Sequence, residues 1–314
     1  MFPEDKERSK EFTKLLDEAG FIPQETGRAK HEIGIAIINL KESEPKIFGY
    51  NFDHFIYPAS VYKVFIGAEV LRRIEIGDFS LEQIVEIKSP NDVDKDTRLF
   101  PGDTRKLLNA GDKVSVDYLL DLMLTRSDNT ASNALIDLVG RESITENIIY
   151  KYDWHGSEVT RKFLDRLKED KPYQFSSTTL TCARHLAEFF YTTEKEKLAS
   201  PFVSRKLKEY MLRFNKGGKK GLWLPDVYKK YYCKGGWLET NLYKKNPLSL
   251  LKAVFTKGWA VIRWSHDAGV VTGENSKYVV AVLSVNKSIS PKSYFPIQKL
   301  AKLIYDFMEN EKSI

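Results

Sequence analysis

Cysteine is nearly absent: Cys182 and Cys233 are the only two in 314 residues. That rules out a disulfide framework, leaving two buried thiols or one bridge. His31, His54, His155, His185 and His266 show no metal-ligand spacing, so neither a metal site nor another cofactor is expected. Long apolar runs are missing as well. The most apolar long window, Pro247–Ile262, is interrupted by Lys252 and Lys257, which excludes a transmembrane helix there. Residues 1–30 are charged and lack a secretory h-region, so the chain reads as cytoplasmic or as a mature form whose signal has been removed. There are no repeats and no low-complexity segments. The densest basic stretch holds Lys216, Lys219, Lys220, Lys229 and Lys230. No helix-turn-helix, zinc or aromatic RNA-binding signature accompanies it, so it reads as solvated surface and no nucleic-acid partner is expected.

What is present is ordinary for a soluble globular chain: 42% hydrophobic and 29% charged residues, with a net charge of +6. The length suits one large domain or two. Residues 3–19 have helical periodicity, and Gly20 is a C-cap candidate. His31–Leu40 and Ile47–Asn51 read as a strand hairpin. Helical patterns follow over 60–76, Ser115–Thr125, 129–140, 141–151, Thr178–Thr192 and Ser204–Phe214, with irregular polar chain at 78–112 and 152–176. Tyr228–Trp237, Trp259–Val271 and Tyr278–Val285 read as strands, and Pro296–Glu309 as a closing amphipathic helix. Strands at both chain ends around a helical middle predict an α/β (α+β) fold. Its parts are an antiparallel sheet domain, 1–59 with 215–314, and an inserted helical domain, 60–214, with the active site at their interface.

Three short motifs carry chemistry. Ser60-Val61-Tyr62-Lys63 follows Pro58, and Ser60 is placed as an N-cap or first-turn residue of an apolar helix. Residues three apart share a helix face, so the Ser60 hydroxyl and the Lys63 amine can meet. A serine needs a base to become a nucleophile, and a lysine serves when burial or a nearby cation lowers its pKa. The Ser-x-x-Lys spacing occurs four times, at Ser43, Ser60, Ser249 and Ser284. Ser43 is in a polar loop, Ser284 ends a strand-like run, and Ser249 is the competitor on a possible helix. Ser127-Asp128-Asn129 lies in a break between two apolar helices, where it serves as a cap cluster or projects into a cleft. Lys234-Gly235-Gly236-Trp237 puts paired glycines on a strand, marking a bulge or a close backbone approach.

In the order Ser-x-x-Lys, Ser-Asp-Asn, Lys-Gly-Gly, this chain resembles the class A β-lactamase family of bacterial penicillin-recognising serine enzymes, with Lys-Gly-Gly in place of Lys-Thr-Gly. The flanks Tyr57-Pro58-Ala59, Thr130-Ala131-Ser132-Asn133 and His266-Asp267-Ala268-Gly269 strengthen the likeness, which covers roughly residues 30–310. The resemblance implies Ser60 as acylated nucleophile, Lys63 as base, Ser127 as proton relay and Lys234 as carboxylate anchor. It implies Asn129, Gly235 and Gly236 as substrate-binding residues, and the N–H groups of Ser60 and Trp237 as the oxyanion hole. It also implies a small β-lactam or cell-wall peptide substrate, a role in antibiotic resistance, and a periplasmic or secreted location.

Two departures stand out. The loop Ser157–Glu169 lacks the family's Glu-x-x-Leu-Asn, whose Glu activates the deacylating water. Phe163 or Leu164 stands at the usual Glu position, and Asp165, Glu158 and Glu169 are the candidate substitutes. Acylation is expected to persist while deacylation slows. The segment Leu238–Ser265 is longer than a simple turn and reads either as a lid or substrate wall or as an inert insertion. Three functions compete: a β-lactamase, a D-Ala-D-Ala peptidase or esterase, and a sensor that stays acylated.

Overall fold

The computed structural model describes residues 1–22, 29–94, 103–213, 221–244, 248, 250–252, 255, 259–289 and 295–310. The chain forms two compact units: Met1–Val61 with Cys182–Tyr191 and Gly218–Ile314, and Tyr62–Thr181 with Thr192–Gly217.

The first unit is built on strands β1 (Ala29–Asn39) and β2 (Ile47–Tyr50). Near the chain's end come β5 (Lys230–Asn241), β6 (Val261–Thr272) and β7 (Lys277–Ser288). They pair antiparallel in the order β2-β1-β7-β6-β5. In β1, Ile33, Ile35 and Ile37 on one face and Ala36 and Ile38 on the other are all buried, so the sheet is covered on both sides. Helices α1 (Lys6–Glu18) and α8 (Ile297–Asn310) pack through aromatic edges. Phe12 meets Phe48 at 6.2 Å and Phe307 at 5.4 Å between ring centres. Tyr228 touches Tyr305 of α8 and its neighbour Tyr231. Tyr232, on the opposite face of β5 from Tyr231, meets Phe190 of helix α6 (Ala183–Glu194), whose residues through Tyr191 belong to this unit.

The β5–β6 ladder runs without a break from Lys230↔Thr272 to Asn241↔Val261. Both ends of the expected insertion are therefore strand: Leu238–Asn241 and Val261–Ser265 extend the hairpin. The lid expectation rests partly on residues 245–247, 249, 253–254 and 256–258, which lie outside the described residues, as does Ser249 itself.

The second unit is helical. Its centre is α2 (Lys63–Glu75), in which every residue from Lys63 to Leu71 is buried. Gly67 permits the close approach of Leu124 and Leu207: a Cβ there would sit 3.1 Å from Leu207 Cδ2. Around it lie α3 (Val116–Asp121), α4 (Asn129–Val139), α5 (Arg141–Ile144) and α7 (Pro201–Arg213). Ser115 caps α3, as its sequence position predicts, by accepting from Tyr118 N at 3.2 Å. The helix widens into a π turn over Leu122–Arg126 before it ends at Ser127. Two details differ from the sequence reading. Ser60 does not cap α2; it lies in a turn, and helical backbone begins at Lys63 with Tyr62 at the N-cap. The polar stretch after α2 contains a strand, β3 (Ile84–Glu86), paired with β4 (Lys113–Ser115).

Candidate active site

Each unit carries its own half of the residues singled out by the motifs. In the sheet unit, Ala59 has φ +51°, a left-handed conformation uncommon for a side-chain-bearing residue. It turns the chain sharply so that Val61 N donates to Pro58 O at 3.1 Å. Strained backbone of this kind costs about 1–3 kcal/mol and is held by its surroundings. Gly236 of β5 closes over the turn. A Cβ on Gly236 would lie 2.8 Å from Ser60 N and 2.9 Å from both Pro58 O and Val61 N. Only glycine lets the strand approach Ser60 this closely, the purpose the paired glycines predict.

His266 lies opposite Gly236 in the β6 register. Its Nδ1 accepts from Ser284 N at 3.0 Å, so Nε2 carries the proton and donates to Tyr57 O at 2.9 Å. Burial holds its pKa down at about 4, which keeps the ring neutral and the turn tied to the sheet. Lys234 is buried and donates to Gly235 O at 2.8 Å. Asp267, on the strand beside it, accepts from Leu222 N at 2.8 Å. Burial raises its pKa to about 6, and the Lys234 cation works against that rise. Gly235 is covered differently from Gly236: the three atoms nearest to a Cβ there all belong to the Trp237 indole.

In the helical unit, Lys63 is fully buried. Its ammonium donates to Ser127 O at 2.6 Å, Asn129 Oδ1 at 2.7 Å and Asp128 O at 3.3 Å, with Ser127 Oγ at 3.4 Å. Ser127 is the second left-handed residue at the motifs, with φ +60°. Asp128 does what the cap reading predicts, accepting from Ala131 N at 2.8 Å, and it also binds Arg126 at 2.9 Å. The Ser-Asp-Asn triplet thus caps α4 and presents its carbonyls and amide to Lys63. Asp94 adds a support that no local motif marks: its Oδ2 accepts from Thr130 N at 3.4 Å and from Asn129 N.

A family profile described as the Beta-lactamase enzyme family matches residues 20–308. The chain belongs to that family. No curated protein sequence matches it. Among solved structures, it resembles the acyl-enzyme complex of a leucine-to-glutamate mutant of PBP-A with penicillin G, at 17% identity and TM-score 0.67, covering 98% of this chain and 99% of that one. It also resembles the TLA-1 extended-spectrum β-lactamase, at 17% identity, TM-score 0.66 and 96% and 99% coverage. A class A β-lactamase from Bacteroides cellulosilyticus matches at 18% identity, TM-score 0.66 and 96% and 98% coverage. At these identities the structural likeness speaks for the β-lactamase/transpeptidase-like fold, while family membership makes the chain a serine hydrolase of the β-lactamase kind.

Within this β-lactamase-family chain, the loop that departs from the family pattern presents an aromatic ring to the lysine. The Phe163 ring centre lies 4.2 Å from Lys63 Nζ, and the ring stacks on Tyr62 at 5.0 Å. Asn133 fixes it, accepting from Phe163 N at 2.7 Å. The candidate carboxylates are engaged elsewhere. Glu169 is buried, paired with Arg141, and accepts from Lys162 N at 2.8 Å. Asp165 caps a single turn by accepting from Leu167 N at 3.0 Å, and Glu158 accepts from Tyr150 Oη at 3.2 Å. Both cysteines are free and buried; burial pushes Cys182 up to about 12 and Cys233 well above its ordinary range. Among the described residues, no helix is long and apolar enough to cross a membrane.

Proposed function

We propose that this protein is a serine β-lactamase-like hydrolase that forms an acyl-enzyme on Ser60 and releases it slowly. In this reading the Ser60 hydroxyl attacks the lactam carbonyl while its proton passes to the Lys63 amine. The carbonyl oxygen becomes an oxyanion held by the N–H groups of Ser60 and Trp237. As the intermediate collapses, the C–N bond breaks and Ser127 delivers a proton to the departing nitrogen, its own proton being replaced from Lys63. The product is an ester on Ser60. Lys234 receives the substrate carboxylate, Asn129 the side-chain amide, and Gly235 and Gly236 the substrate backbone along β5.

The observation that carries the slow-release part is the Phe163 ring against Lys63. Hydrolysis of the ester needs a base to take a proton from water, and a phenyl ring cannot supply one. Asp165, Glu158 and Glu169 are the remaining carboxylate candidates, each already engaged. That same ring favours a second reading, in which β-lactams are inhibitors of a D-Ala-D-Ala peptidase or esterase, or acylate a sensor without turnover. Family membership favours a periplasmic or secreted location.

Intact-mass measurement during incubation with a chromogenic cephalosporin tests the proposal. A cephalosporoyl ester on Ser60 that decays with slow product release is the expected result. The adduct is lost in Ser60→Ala and kept in Ser249→Ala. A stable adduct with hydrolysis of D-Ala-D-Ala peptides or simple esters selects the second reading. No adduct, or an adduct that survives Ser60→Ala, overturns the assignment.

A further inference from the structure

Phe163 is held by more than Asn133, and the rest of the grip is a closed circuit of side chains inside the helical unit. Lys162, the residue before it, is buried. Its ammonium meets Asp137 Oδ1 of α4 at 2.9 Å and Asp170 Oδ2 at 3.1 Å. The other oxygen of Asp137 accepts from Asn91 Nδ2 at 2.7 Å. Asn91 O in turn accepts from Asn133 Nδ2 at 3.3 Å, and Asn133 Oδ1 returns to Phe163 N. The Lys162–Phe163 peptide closes the circuit. Outside it, Arg141 pairs with Glu169 and lies 3.3 Å from Asp170, and Glu169 accepts from Lys162 N.

Stability alone does not account for an ammonium at this place. Replacing a buried ion pair with apolar residues is often neutral or stabilising. Direction does account for it. Bonds to main-chain N–H groups hold single atoms and leave the side chains free to choose a side. Tying the Lys162 side chain to α4 by charge-assisted bonds, which are the strong kind, sends its neighbour the other way, toward Lys63. The same carboxylate steadies Asn91, and through it the amide that holds Phe163. We propose that Lys162 is a positioning residue: clamped to Asp137, it decides that side chain 163 faces Lys63. The inference rests on the reading of Phe163 as the cause of slow release.

Isotopic labelling of the lysine ε carbons tests this by NMR without any reaction. Protons over the face of a phenyl ring resonate upfield, so the Lys63 ε-methylene stands upfield in the parent and loses that displacement in Phe163→Leu, which assigns the signal. The displacement is expected to be largely lost in Lys162→Met and in Asp137→Ala, and the double variant loses no more than either alone, because one circuit is opened once. Lys162→Met leaves Asp137 and Asp170, whose side chains are 36% and 50% exposed and turn to water. Asp137→Ala leaves Lys162 on Asp170. Both are therefore expected to fold, checked by cooperative thermal unfolding; where Lys162→Met does not, Asp137→Ala decides. In turnover, Phe163→Glu is expected to release its ester about 100-fold faster than the parent, and adding Lys162→Met brings release back to within about tenfold of it. A full upfield displacement in either folded variant, or none in the parent, overturns the proposal. A parent that forms no ester with the cephalosporin overturns the proposed function instead, and the NMR signal still decides whether Lys162 positions the ring.

Discussion

Replacing Gly236 with alanine tests whether the strand–turn contact sets the reaction rate. The added methyl falls 2.8–2.9 Å from three backbone atoms, Ser60 N, Pro58 O and Val61 N. That is more than about half an ångström inside ordinary van der Waals separation. Backbone cannot rotate away as a side chain can, so β5 or the Ala59–Ser60 turn must move. The atom pushed is the Ser60 amide nitrogen, the proposed oxyanion donor. Losing one such donor costs about 100- to 1,000-fold in rate, or about 2.7–4 kcal/mol in the transition state. Overpacking costs about 1–3 kcal/mol of stability. Gly235→Ala is the control: the atoms nearest to its methyl belong to the indole of Trp237, a side chain rather than backbone and 41% exposed. The second-order acylation rate, read by quenched intact-mass time courses with a penicillin, is expected to fall at least about 100-fold in Gly236→Ala. It is expected to fall less than about tenfold in Gly235→Ala. A Gly236→Ala protein that acylates within about threefold of the parent refutes the reasoning, because the amide would then tolerate displacement or take no part.

Phe163→Glu places a carboxylate beside Lys63 in the position the ring now holds, and general-base help is typically worth about 10²–10⁴-fold. Release of the acyl-enzyme should therefore quicken about 100-fold or more while acylation changes little, read as steady-state turnover against the adduct's lifetime. Acidification should destabilise the sheet unit. His31 and His266 both sit near 4 in the folded state, below the unfolded 6.5. Their neutral-form stability is complete above about pH 6.5 and is lost as pH falls toward 4, about 3 kcal/mol each. Asp267, raised to about 6, opposes this over about pH 6 to 3.8 with a similar magnitude. Urea unfolding at pH 7 and pH 4.5 should show a net loss, smaller in His266→Asn; equal stability at the two values contradicts the assignment. Finally, Cys182 and Cys233 should resist an aromatic disulfide reagent at pH 8 in the folded protein and react together on unfolding. Rapid native labelling of either thiol would contradict its burial.

The strongly patterned elements were readable because their periodicity carries the burial directly. The isoleucine run of β1 and the apolar stripes of α1, α3 and α8 fall where the sequence puts them. The strand β3 escaped notice because three residues with Ile84 and Glu86 exposed make no alternating pattern. β5 runs on past Trp237 at its distal end, where Leu238 and Glu239 are exposed on an edge strand and look like loop, whereas β6 begins at Val261, two residues after the start its sequence suggests. The start of α2 was misplaced for a conformational reason. Ser60 has a cap's chemistry, yet Ala59 adopts the left-handed region, and nothing about an alanine announces that.

The motif residues themselves were legible, because serine, lysine and paired glycine advertise their chemistry by type. Their supports were not. Asp94 binds the amides of Asn129 and Thr130 from 35 and 36 positions away. Asn133 holds the Phe163 backbone from 30 positions away, and His266 holds the Tyr57 carbonyl from 209. Each acts on a main-chain atom, and every residue type offers such atoms, so no pairing of residue types could reveal the contact. Sequence leaves the choice between Phe163 and Leu164 open for the same reason: both are apolar, and the contacts that hold Phe163 against Lys63, the Asn133 amide on its backbone and Tyr62 under its ring, come from elsewhere in the chain. If deacylation is slow, its cause lies in this hidden layer as much as in the missing glutamate. A carboxylate at 163 would meet the lysine only while Asn133 keeps that backbone in place. Phe163→Glu combined with Asn133→Ala should therefore lose most of the gain that Phe163→Glu makes alone.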